Sequence, residues 1–184
     1  ALLLRRPERL PKGLFGLLTG GFHAAPLPLS RERAPVLAHR ISKHDLPKVV
    51  SWPDDGGAFI TLPVVYSQEP GHPWWRGFMR SNLGMYRVQL DGNEYADDEV
   101  GLHYQIHRGI GLHHQKALQA GQPLQVQIAV GGPPALGLSA VMPLPEGLPE
   151  LVFAGGLGGR GIRIAPSGGS LGLLGGADFL LEGE

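Results

Sequence analysis

A mainly β domain of the α+β class is what this sequence predicts, its strands closed or partly closed into a barrel and its helices few and short. Three observations lead there. Short strand-like runs recur along the chain, and only two stretches have helical character. The 29 glycines and 17 prolines among 184 residues punctuate those runs with turns, and 42% hydrophobic content argues for a packed core rather than disorder. The length suits one main domain.

The opening ALLLRRPERLPKGLFGLL is apolar, but arginines and prolines interrupt it too often for a signal-peptide core or a spanning helix. The expectation is therefore a cytoplasmic protein with one short helix around Leu14 to Leu18, followed by an extended linker from Gly20 to Pro35. Residues 1–44 read as a linker or remnant segment and residues 45–184 as the barrel domain. The strand-like runs follow in series. KVVSW ends at Pro53, the turn PDDGG leads into AFITLPVVYS, and GMYRVQL, EVGLHYQIHR, LQVQIAVGG, ELVFAGGL, RGIRIAP and ADFLLEGE come after. GLHHQKALQAG, stopped by glycine, and PALGLSAVM, stopped by Pro143, read as helices. The glycine-rich segments GGLGGRG and GGSLGLLGG lack a strand-turn-helix frame, so they read as hairpin loops rather than as a phosphate-cradling loop.

Sixteen basic and sixteen acidic residues cancel, which leaves no overall field to hold nucleic acid or an anionic membrane. The absence of cysteine removes disulfides, thiolate catalysis and sulfur-ligated metals together. Any metal must be held by nitrogen and oxygen.

Strict alternation along Glu99 to Arg108 would put Leu102, Tyr104 and Ile106 on one face and His103, Gln105 and His107 on the other. A file of imidazole and amide groups suits a ligand or metal surface, or a polar barrel face. The same period places Met85, Arg87 and Gln89 together, and Asp178, Leu180, Glu182 and Glu184 together. If these strands share one barrel, Arg87 could meet the acids inside it; alternatively Arg87 is a surface ion-pair residue and the acids form an exposed tail. His113 and His114 read as solvated helix residues, and Trp74 and Trp75 as loop packing.

Five ordered blocks, WPDDGGAFITLPVVYSQEP, SNLGMYRVQL, GLHYQIHRG, PLPEGLPELVFAGGL and ADFLLEGE, resemble the UbiD family of decarboxylases, especially its menaquinone-pathway branch. The resemblance implies a split β-barrel of the FMN-binding type that holds prenylated FMN with a divalent metal, manganese or magnesium, and potassium. It implies Asn82, His107 and Glu150 as metal ligands, a hard to borderline donor set suited to those ions. It implies Arg87 as the catalytic arginine, Glu182 and Asp178 as the two catalytic acids, and Met85, Gln105 and Met142 as residues lining the flavin pocket beside Asn82, Arg87 and His107.

The implied activity is a carboxy-lyase acting on an aromatic or α,β-unsaturated carboxylic acid, with a naphthoate pointed to by the menaquinone branch. A flavin prenyltransferase would supply the cofactor, and a homo-oligomer is expected. Two positions depart from the family pattern. Asp178 replaces a glutamate, one methylene longer, and a glycine-rich stretch replaces the usual lysine-rich strand before the acids. The family's C-terminal domain is absent from these 184 residues. The alternative is a non-catalytic flavin-binding or assembly module, and a third reading is a plain split barrel binding FMN without metal.

Overall fold

A computed structural model describes residue 21 and residues 23–184. The helix expected around Leu14 to Leu18 lies outside the described residues. The architecture is α+β, with sheets at its centre and short helices around them, as the sequence predicts. Strands β1 (Leu27–Pro28), β2 (Phe59–Ile60), β3 (Val64–Gln68), β4 (Ser81–Met85), β5 (Val88–Gln89), β6 (Gly101–Leu102), β7 (Val126–Val130), β8 (Arg163–Ala165), β9 (Leu173–Leu174) and β10 (Phe179–Gly183) form three sheets. The helices are α1 (Trp74–Gly77), α2 (Gly109–Gln119), α3 (Pro134–Val141) and α4 (Glu150–Gly158).

The central sheet is antiparallel in the order β10-β7-β3-β4, so among the described residues β10 and β4 are its open edges and the barrel is split rather than closed. β3 is buried along its whole length. Its alternation, Val64 and Tyr66 one way and Val65 and Ser67 the other, therefore feeds two cores. Val64, Tyr66, Leu83 and Ala129 pack under α3 and α4 with Leu136, Leu151 and Ile164. Val65 and Ile128 pack under α2 with Ile110, Ala117 and Val88. The second sheet, β2-β5-β6, lies against this latter core through Ile60, Val88 and Leu102. The third, β1-β8-β9, carries the N-terminal segment. There β1 runs parallel to β8, and Ala34 packs on Ala165 and Leu173, so the proline-rich stretch is docked rather than a free tether. Lys43 Nζ donates to the carbonyls of Ala96, at 2.7 Å, and Glu99, clipping the same segment to the loop before β6. Among the described residues no helix is long and apolar enough to cross a membrane.

Three local readings are corrected. ELVFAGGL is helix α4, not a strand: Pro149 sets an extended N-cap, Glu150 stands in the first turn, and Gly159 closes the helix in the left-handed region at φ 63°. A short apolar run does not by itself distinguish the two states. The run from Glu99 to Arg108 pairs only at Gly101 and Leu102, after which the chain turns through Ile106 and His107 into α2. His103, Gln105 and His107 therefore do not share a strand face. KVVSW contributes only an isolated bridge, Val49 to Phe59.

Candidate functional site

The outer edge of β4 is where chemistry-bearing residues meet. Leu83 points its N–H away from β3, and Oε2 of Glu150 accepts it at 3.3 Å. Glu150 reaches this edge because it is the first residue of α4, which packs on the sheet through Leu151 and Ala154. Asn82, the preceding residue of β4, is buried, and its Nδ2 has no partner among the described residues. Gly109, which opens α2, comes so close that a Cβ there would strike Asn82 Oδ1. Tyr86 folds back over Gly84, where a Cβ would collide with the phenol ring, and its hydroxyl interacts with Asn82. The two helix N-termini, of α4 and of α2, thus flank the same strand edge.

Burial pushes the Glu150 carboxyl up, against the opposing pull of backbone N–H groups including that of Leu83. Burial also pushes the Tyr86 phenol up, offset by its bond to Asn82 and the charge of Arg108, while Glu150 reinforces it. A half-buried carboxylate whose charge is penalised by burial thus stands next to the buried amide of Asn82 on the β4 edge. The Asn82 Oδ1 faces Gly109, the residue that opens α2. His107, exposed, stands two residues before Gly109 on the turn into α2. Oxygen from Asn82 and Glu150 with nitrogen from His107 fits a manganese-type ion. Among the described residues no cluster of three or more His, Cys, Asp or Glu side chains could hold a metal, so a site of this kind depends on the amide.

The other sequence-predicted residues are more dispersed. Met85 packs with the α3 and α4 core, and Met142, exposed, ends α3. Gln105 is exposed and accepts a 3.4 Å hydrogen bond from Nε of Arg108. Arg87 does not meet the acids. Its Nη2 lies 2.7 Å from Asp55 Oδ2 and its guanidinium 4.1 Å above the Phe59 ring, at the break between β4 and β5. The hydrogen bond from Arg87 holds the Asp55 carboxyl below the usual carboxylate range. Asp178 and Glu182 are exposed at the opposite edge, on or just before β10. There Asp178 accepts from the N–H of Gly132 at 3.3 Å. Both acids line a groove of ≈ 1790 Å³ whose floor includes Leu102, Ile128 and Leu181 and whose wall carries Tyr104.

Sequence reasoning missed Tyr86 and His113. The latter is buried, with Nδ1 3.0 Å from the Ser67 hydroxyl, not solvated. Nothing in the adjacent pair His113 and His114 marks which of the two faces the sheet.

The fold is a split sheet with an amide and a carboxylate gathered at one open edge and two further acids at the other. The structure superposes on vanillic acid decarboxylase of Sedimentibacter hydroxybenzoicus in its closed form with a TM-score of 0.75 and 27% identity, covering 91% of this chain and 36% of that one. The fold is shared also with the UbiD-class enzyme HmfF from Pelotomaculum thermopropionicum, solved in complex with FMN (TM-score 0.71, 24% identity, 92% of this chain and 37% of that one).

The chain belongs to the UbiD family: residues 28–184 match the 3-octaprenyl-4-hydroxybenzoate carboxy-lyase Rift-related domain. An uncharacterised protein of Chlamydia trachomatis serovar D is 40% identical over 166 residues, 88% of this chain and 26% of its own length. A 4-hydroxybenzoate decarboxylase subunit from Chlamydia pneumoniae is 43% identical over 140 residues, 76% of this chain and 22% of its own. The chain thus spans about a quarter of the length of these relatives.

Proposed function

We propose that this chain is the cofactor-binding core of a UbiD-type carboxy-lyase that removes carbon dioxide from an aromatic or α,β-unsaturated carboxylic acid, a naphthoate in the reading from the menaquinone branch. The observation that carries the proposal is the convergence of Asn82 and Glu150 on the β4 edge, beside the turn that bears His107. Those three residues would hold a divalent metal, manganese or magnesium, that with potassium anchors the phosphate of prenylated FMN; Met85, Gln105 and Met142 would border the ring. When bound, that flavin supplies the electron sink for carbon dioxide loss.

The chain's own residues do the rest. The groove between β6 and β10 removes the acid's ring from water on Leu102, Ile128 and Leu181. Glu182 or Asp178 holds the proton that replaces the lost carboxylate, and the Arg87 guanidinium keeps a neighbouring carboxylate ionised. That role requires Arg87 to leave Asp55. A flavin prenyltransferase would be the supplier of the cofactor, the cytoplasm the location and a homo-oligomer the working assembly.

Co-expression with a flavin prenyltransferase in manganese-supplemented medium, followed by native mass spectrometry, is expected to show prenylated FMN plus manganese on the chain. An empty chain would overturn the proposal. Arg87→Ala in the loaded protein is expected to abolish turnover with folding nearly intact, and an unchanged rate would remove its catalytic role. The second reading, a non-catalytic flavin-binding or assembly module, is favoured by the engagement of Arg87 with Asp55 and Phe59 away from the acids. It predicts the same bound mass without turnover.

A further inference from the structure

Ser67 and His113 take no part in the chemistry assigned above, yet they are tied to it by register. Ser67 lies on β3, 0% exposed, and pairs directly across the strands with Asn82. Its only side-chain bond among the described residues is the 3.0 Å contact with His113 Nδ1. His113 stands four residues after Gly109 on α2, so both occupy one helical face. That face meets β3 and β4 at successive points: Gly109 against Asn82, His113 against Ser67, and Lys116, whose Nζ lies 2.9 Å from Glu69 Oε2. The first contact leaves no room for a Cβ, the second is buried, and the third is a surface ion pair that contributes little on its own.

An apolar contact would let α2 slide along the sheet, whereas a buried hydrogen bond fixes one register because its loss strands two polar groups. The apolar partners Ile110 and Ala117 bury area but carry no such direction. We propose that the Ser67–His113 pair is a positioning device that keys α2 to β3, and so holds Gly109 and the preceding His107 turn against Asn82 at the place where the cofactor's divalent cation binds. The inference rests on the reading of Asn82 as a metal ligand. His113 is a positioning residue, acting on the site through the helix and touching neither cation nor substrate.

The test titrates the chain with manganese chloride in the presence of FMN and follows bound Mn²⁺ by electron paramagnetic resonance. Thermal melts of the same samples report folding. Asn82→Ala is expected to lose the bound signal. Ser67→Ala, and the paired change Ser67→Ala with His113→Leu, are expected to raise the Kd for Mn²⁺ about tenfold or more, the range found when groups that orient a metal ligand are removed. The paired change replaces both polar partners with apolar ones and so spares the fold the unpaired polar group that a single deletion leaves. Ser67→Thr, which keeps the hydroxyl, is expected to restore the bound spectrum.

Wild-type Mn²⁺ affinity in the folded paired variant would overturn the positioning role while a silent Asn82→Ala leaves the metal reading standing. Wild-type affinity in Asn82→Ala would instead overturn the metal reading, and this inference with it.

Discussion

His113 illustrates how one buried imidazole couples the site's architecture to pH. Burial pushes its pKa from the ordinary 6.5 down to about 4, with Glu69 opposing and Lys116 adding to the shift. Between those values the unfolded chain binds the proton and the folded chain does not. The stabilisation is therefore full above about pH 6.5 and is lost as pH falls toward 4, by about 3 kcal/mol in all. Melting temperatures of the wild type are expected to fall through that window more steeply than those of His113→Asn, and parallel curves would show that His113 titrates normally. This behaviour was not legible in the sequence, because adjacent histidines on a helix give no sign of which one faces a sheet. Asn82, by contrast, was singled out by its motif, and the structure shows it as a buried amide beside Gly109 and Tyr86.

Among the elements, α4 has two tasks that separate cleanly. Its side chain Leu151, 0% exposed, anchors the helix in the core, and Glu150 presents the carboxylate to the β4 edge. Leu151→Ala is expected to cost about 2–5 kcal/mol of stability, read as a lowered urea midpoint. Glu150→Gln keeps an oxygen for the Leu83 N–H and is expected to retain the midpoint while weakening Mn²⁺ binding. Loss of stability in Glu150→Gln equal to that of Leu151→Ala would show the charge itself to be structural. β3, β7, β10, α2 and α3 were all visible in the sequence, since five-residue apolar strands and glycine- or proline-bounded helical runs carry their own punctuation. α4 was not, because Val152 and Phe153 favour strands and the helix is specified by its ends and by its packing under the sheet. The alternation from His103 to His107 misled for a related reason: period two is satisfied over a few residues by chance, and the chain there needs to leave β6 for α2.

At the scale of the molecule, the sheet carries a core on each face and leaves both edges unpaired among the described residues, which is why a chain of this size can offer a groove at one edge and the Asn82 amide with the Glu150 carboxylate at the other. Binding to the folded state alone must raise its stability by mass action. A loaded chain at a free-ligand concentration of 100 Kd is expected to gain about 2.7 kcal/mol, seen as a melting temperature that climbs with added Mn²⁺ and FMN. A melting temperature indifferent to both would mean that the folded domain does not bind them. The family was legible at this scale from five ordered blocks, while the separation of Arg87 from Asp178 and Glu182 depends on which strands pair and could not be read from any one of them.

The carboxylate that Glu150 sets on the rim of β4 also decides what company the protein keeps. An unpaired strand edge is a template on which a second chain can add its own strand, the first step toward aggregation. At β4 the outward N–H of Leu83 is already taken by Glu150, and at β10 the strand carries Glu182 with Glu184 just beyond it, like charges that repel an approaching copy. The open rims of this broken barrel are thus guarded by acidic side chains against edge-to-edge strand pairing.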